Sequence, residues 1–164
     1  MPALKEMETP MNPFDAAREQ ATDAGRANID LIERFFAEME KMDFGAVGAM
    51  FHEDARYRDE PSHDADATGP AAITAKLNNA IAGLNAFPMC VNTVVADGVR
   101  VMSRRAEEWH FPTGEVLALP VMCVHEIRAG KIADWHEFWD MNSFTSQLPA
   151  SWMEEIMKRA QGAS

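Results

Sequence analysis

Between Pro13 and Met42 apolar residues recur at helical intervals. Ile29, Ile32, Phe36 and Met39 fall three to four positions apart, with Asp30, Glu33, Arg34 and Glu40 between them. That spacing predicts helix with one buried face. Gly25 stands where it can divide the stretch into two helices. Asp43 has an N-cap side chain and opens a shorter segment carrying Val47, Met50 and Phe51. Residues 55–60 read as a short strand, and the run from Pro61 to Gly69, rich in Asp, Ser and Pro, reads as a loop. Ile73, Leu77, Ile81 and Leu84, spaced four, four and three, predict a further helix.

The period changes at Phe87. Residues 89–96 are rich in Val, and Asp97-Gly98 is a hairpin turn signal. Residues 99–111 and 115–127 then predict two long strands joined by Pro112-Thr113-Gly114, and residues 131–140 predict a third after Ala129-Gly130. Ser151 is placed to cap a last helix, about 151–160, with Trp152, Ile156 and Met157 on one side. Residues 1–12, with Pro2, Lys5, Glu6, Glu8 and Pro10, read as a flexible tail, and 13–164 as one domain. Helices segregated from an antiparallel meander predict an α+β chain, not a βαβ nucleotide fold. GxGxxG, P-loop and GxSxG motifs are absent from the sequence.

The length, 164 residues, suits one domain. Apolar residues at 47% with charged residues at 25% are the mix of a chain that buries a core. Against 15 Lys and Arg stand 26 Asp and Glu, a net charge of −11. That excess argues against nucleic acid and an anionic membrane as partners, because both need a basic face. Cys90 and Cys123 fit no CxxC or zinc spacing and read as small hydrophobes in a reducing compartment. With no signal-peptide pattern and no run of the ~18 apolar residues of a membrane span, the expected location is cytoplasmic.

Candidate chemistry comes from strand alternation. One face of the first long strand carries Ser103, Arg105, Glu107 and Trp109; one face of the last carries Ala133, Trp135, Glu137 and Trp139. Glu137 between two tryptophans on a buried face must be paired or protonated. A curled sheet would bring Arg105, Glu107 and Glu137 together. Equally, Arg105 and Glu107 fit a solvated charge run from Arg104 to Glu108.

These stretches resemble the limonene-1,2-epoxide hydrolases, within the wider NTF2-like or SnoaL-like group. The resemblance runs from about Asn28 to Leu148. It is carried by Val-Met-Ser-Arg-Arg-Ala-Glu from Val101, the Pro-Thr-Gly turn, and Gly-Lys-Ile-Ala-Asp-Trp-His-Glu-Phe-Trp-Asp from Gly130. Upstream, Phe51-His52-Glu53-Asp54 leads into Tyr57, the only tyrosine in the chain. The resemblance implies a cone: a curved, mixed, mainly antiparallel sheet wrapped around helices, with a central apolar pocket. It implies one-step, cofactor-independent hydrolysis of an epoxide to a vicinal diol. Arg105 would bridge the general acid Glu107 and the base Glu137, and Tyr57 and Asp59 would hold the attacking water. Glu107 and Glu137 stand where the family has Asp, and Asp59 where it has Asn. Trp109, Leu119, Val121, Cys123, His125 and Trp139 would line a pocket for a bulky apolar substrate of terpenoid or steroid-like size. Leu119 and Val121 fit plain core equally well. No metal is implied, and relatives of this kind are commonly homodimers through the open sheet face.

Two other classes share the fold and stay open. One is another pocket enzyme of ketosteroid isomerase, polyketide cyclase or dehydratase type, in which His125 would serve as a base. The other is a non-catalytic small-molecule-binding module. His136 and Asp140 share a strand face, but four residues along a strand separate them too far to ligate one ion.

Overall fold

The computed structural model describes residues 11–162, the side chains of Asp64, Ile156, Met157 and residues 159–162 excepted. The tail expected over residues 1–12 therefore lies outside the described residues except for Met11 and Asn12, as do the side chains of Ile156 and Met157 expected beside Trp152. Helix α1 (Pro13–Gln20) starts where the Asn12 side chain accepts from the Phe14 amide, with Pro13 at the first helical position. Helix α2 (Asp23–Glu40) follows. The chain does divide in two here, but at Ala21-Thr22 and not at Gly25. Thr22 supplies the cap, accepting from the Gly25 amide at 3.2 Å. Gly25 lies inside the first turn, where a Cβ would meet that of Ala21 at 3.1 Å.

Asp43 caps α3 (Phe44–Ala49) through the Ala46 amide. Phe51 does not belong to that helix; it opens strand β1 (Phe51–Asp59), longer than the segment 55–60 suggested. The extra residues are drawn into pairing with a strand far along the chain, a contact no local pattern reveals. A 3₁₀ turn (His63–Ala65) and the two-residue β2 (Ala67–Thr68) lead to α4 (Pro70–Ile81). Then come β3 (Met89–Ala96), β4 (Arg100–His110), β5 (Val116–Arg128) and β6 (Lys131–Phe138). The expected end of the last strand at 140 is two residues too far. Asp140 turns away to cap α5 (Met141–Gln147), accepting from the Ser143 amide, and α6 (Ala150–Gly162) follows.

The strand order is β2-β1-β6-β5-β4-β3, with β1 and β6 parallel and every other neighbouring pair antiparallel. The result is the expected α+β cone, a curved open sheet with helices against its inner face. On β4 burial alternates without exception from Val101 to Trp109, which sends Val101, Ser103, Arg105, Glu107 and Trp109 inward. The apolar stripe of α2, with Ile29, Ile32, Phe35, Phe36 and Met39 all buried, covers part of that inner face. Among the described residues, no helix is long and apolar enough to cross a membrane.

Candidate active site

Register assembles the site. One rung across the inner face reads Asp59 on β1, Glu137 on β6, Cys123 on β5 and Ser103 on β4; the next reads Tyr57, Trp135, His125 and Val101. Arg105 and Glu107 follow Ser103 on the same face of β4. Five residues from three strands thus meet inside the cone, and all five are buried: Tyr57, Asp59, Arg105, Glu107 and Glu137.

Arg105 is the hub. Its Nη2 donates to Glu107 Oε2 at 2.8 Å and to Glu137 Oε1 at 2.6 Å, and its Nε reaches the same Glu107 oxygen at 3.1 Å. Phe36 of α2 lies under the guanidinium, with Cζ 5.3 Å from the ring centroid. Burial works against this charge, but Glu137 and Glu107 outweigh it and hold the guanidinium above its ordinary pKa. Each glutamate also receives an indole N–H from its own strand. Trp109 Nε1 donates to Glu107 Oε1 at 3.0 Å, and Trp135 Nε1 to Glu137 Oε1 at 2.9 Å. The tryptophans beside Glu137 in sequence are therefore not all alike: Trp135 supplies a donor to it, whereas Trp139 Nε1 donates to Asp59 Oδ1 at 2.9 Å.

Each glutamate accepts three hydrogen bonds, two on one oxygen and one on the other. On Glu107 this leaves one lone pair on Oε1. Glu137 Oε2 meets only the Tyr57 hydroxyl, at 3.2 Å, and that hydroxyl also lies 3.4 Å from Asp59 Oδ1. Burial pushes Glu137 up to about 7 against the pull of Arg105, with Asp59 and Glu107 adding to the rise. The same burial, with Glu137, Asp59 and Glu107 nearby, holds the Tyr57 phenol well above its usual range, so it stays a neutral donor. The Tyr57 ring stacks on Trp135 at 3.8 Å between centroids.

A cavity of about 340 Å³ opens onto this cluster, a volume that suits a small organic molecule. Leu119, Trp109 and Trp139 are on its wall. Val121, Cys123 and His125 are not. They share the inner face, but Cys123 sits against the guanidinium, with Arg105 Nη1 3.4 Å from its Sγ, and His125 is enclosed by Phe35, Phe36 and Trp135. Burial pushes the Cys123 thiol up to about 11 and, together with Arg105, brings His125 down to about 3. His125 is a neutral core group whose buried Nε2 has no hydrogen-bond partner.

Sequence reasoning missed the lid side of the cavity. Phe144 of α5 packs on both Trp109 and Trp139, and Met141 and Thr145 of that helix join the wall. It also missed Lys76. Its Nζ lies 2.6 Å from Asp59 Oδ2 and 3.9 Å from the Tyr57 ring centroid. The signal was present: Lys76 stands three positions after Ile73 and beside Leu77 in a helix whose buried stripe is Ile73, Leu77 and Ile81, where a cation demands a partner. His136 pairs with Glu60 at 2.6 Å, not with Asp140. Among the described residues no His, Cys, Asp and Glu group is arranged to hold a metal ion.

A family model described as a SnoaL-like domain matches residues 32–135. No curated protein matches the chain. Among solved structures, an LEH-like epoxide hydrolase from M. tuberculosis is similar at TM-score 0.64 and 22% identity, covering 79% of this chain and 91% of its own. TerC, co-crystallized with polyporic acid, is similar at TM-score 0.65 and 19% identity, covering 74% and 97%. A protein of Jannaschia sp. CCS1, provisionally named a SnoaL-like polyketide cyclase, is similar at TM-score 0.70 and 15% identity, covering 79% and 96%.

Proposed function

The chain belongs to the SnoaL-like domain family, and from that premise we propose that it is an epoxide hydrolase, opening an apolar epoxide to a vicinal diol in one step. The observation that carries this reading is the pair of buried glutamates joined through one guanidinium nitrogen, with a tyrosine hydroxyl and a second acceptor beside the outer oxygen of Glu137.

A water between Tyr57, Asp59 and Glu137 would give its two protons to Asp59 Oδ1 and Glu137 Oε2. It would accept from the Tyr57 hydroxyl, which leaves one lone pair free for attack. Ionised Glu137 takes a proton as the water oxygen bonds to an epoxide carbon. The C–O bond of the ring breaks, and Glu107 delivers a proton from its free Oε1 position to the departing oxygen. The products are a diol, protonated Glu137 and ionised Glu107, and the proton returns to Glu107 through solvent. A base of pKa about 7 is well matched to neutral pH. Acid and base must hold opposite protonation states, and Arg105 joins the two carboxyls that share this task. The wall of Met39, Leu77, Ile81, Phe87, Leu119 and Phe144 suits an apolar substrate body.

The test is incubation with a panel of terpenoid and steroid epoxides in ¹⁸O-labelled water, read by mass spectrometry. The expected product is a diol carrying one ¹⁸O atom. Glu137→Gln, Glu107→Gln and Arg105→Ala should each lower turnover by about 10²-fold or more; activity near that of the wild type in all three overturns the proposal.

A further inference from the structure

Three carboxylates, Asp59, Glu107 and Glu137, surround the inner end of the cavity, and Arg105 balances only part of that charge. A buried site with two uncompensated negative charges is strongly disfavoured. The second cation is Lys76, delivered from α4 on the opposite wall, with only 18% of its side chain exposed. It takes one oxygen of Asp59 and leaves the other to the Trp139 indole and the Tyr57 hydroxyl.

We propose that Lys76 is a positioning residue, which neutralises Asp59 so that this carboxylate serves as a hydrogen-bond acceptor for the reacting water without competing for the proton that Glu137 must take. The proposal rests on the hydrolase reading for the water, but its electrostatic core is measurable without turnover. With its Oδ2 held by the Lys76 ammonium, Asp59 presents its Oδ1 much as an amide carbonyl would. With Lys76 and Arg105 together, two cations face three carboxylates, and the site is neutral when it holds one proton. One proton is what an acid–base pair with a single acid needs. Lys76 also lies over the Tyr57 ring, which stacks in turn on Trp135, so one side chain fixes both groups that flank the water. The charged and hydrogen-bonding groups at this end of the cavity are Lys76 from α4, Tyr57 and Asp59 from β1, Glu137 and Trp139 from β6 and its extension, and Arg105 and Glu107 from β4. From α5 the cavity receives Met141, Phe144 and Thr145, none of them charged.

The experiment follows the Glu137 carboxyl by ¹³C NMR in glutamate-labelled protein, assigned by its disappearance in Glu137→Gln. The wild-type midpoint is expected at about 7. In Lys76→Met the Asp59 charge acts on Glu137 unopposed, and the midpoint should rise by about one unit, a tenfold change in proton affinity. In Asp59→Asn the Lys76 charge is left unopposed, and the midpoint should fall. In the double variant the two shifts should cancel, and turnover of an accepted epoxide at pH 7, lowered by Lys76→Met, should recover. Lys76→Arg keeps the cation and should keep the midpoint. If Lys76→Met does not fold, Asp59→Asn and the double variant carry the test alone. A midpoint that Lys76→Met or Asp59→Asn leaves unmoved, or that does not return in the double variant, overturns the proposal. A cycle that behaves as stated in a protein inactive on every epoxide would retire the hydrolase reading and the water-holding role, while leaving the charge-balancing role of Lys76 intact.

Discussion

Glu137→Gln changes one carboxyl oxygen to an amide nitrogen and removes a proton-binding group, with no change in side-chain size. The amide oxygen can still accept from Arg105 Nη2 and Trp135 Nε1, now at 2.6 and 2.9 Å, and the new N–H₂ faces the Tyr57 oxygen. Arg105 keeps Glu107 as its ionic partner. The variant therefore copies the protonated form of Glu137. Folding raises this carboxyl from an ordinary 4.5 to about 7, chiefly by burial. A raised carboxyl contributes stability that is complete below pH 4.5 and lost as pH climbs through 7. At about 1.4 kcal/mol per pH unit, the loss reaches ~3 kcal/mol by pH 9. Urea unfolding of the two proteins at pH 4, 7 and 9 should show near-equal stability at pH 4, with the variant ahead by ~3 kcal/mol at pH 9. Hydrolysis should drop about 10²–10⁴-fold at the same time, the usual effect of removing a general base. Loss of function with a gain in stability is the signature of a charge kept in place for chemistry. Parallel stability curves, or a variant that is weaker at every pH, would refute the reasoning.

Three further outcomes are expected. Trp109→Phe keeps the wall but leaves Glu107 Oε1 without its indole donor, and should cost about 1–3 kcal/mol in urea unfolding together with a fall in turnover. The His125 imidazole should stay neutral from pH 8 to 5 in ¹H–¹⁵N spectra. Its stability contribution, present above pH 6.5 and lost as pH falls towards 3, makes His125→Phe the more acid-resistant protein; a ring titrating near 6.5 would sink this. The outer sheet face exposes Val95, Met102, Met122 and Phe138, so a second copy is expected to cover it. Sedimentation should report a dimer for the wild type and a monomer for Met122→Asp with Phe138→Asp; a monomeric wild type rejects this.

Alternation along residues 99–111 was enough to put Arg105, Glu107 and Trp109 on one face, because a strand's period of two is local and is set by the backbone. The same holds for Trp135 and Glu137, and the cap at Asp43 is likewise a local signal that needs no distant partner. Where the chain's local signals were weak, the reading slipped: the division of the first helix fell at Thr22 rather than Gly25, and Asp140 left the last strand to cap a helix.

What the sequence determined by itself, then, was which side chains could share a face and which carboxylates had to find partners. Only the tertiary structure decided who the partners were. The parallel pairing of β1 with β6 sets Asp59 beside Glu137, seventy-eight positions away by number (137 − 59), and no pattern within either segment encodes that distance. The same packing sets Arg105 against Cys123 and encloses His125 among Phe35, Phe36 and Trp135, and neither reaches the pocket wall. It also brings α4 over the sheet, where Lys76 meets Asp59. Faces follow from backbone geometry, which is short-ranged. Charge balance in a buried site follows from which elements pack together, and that is settled only when the whole core closes.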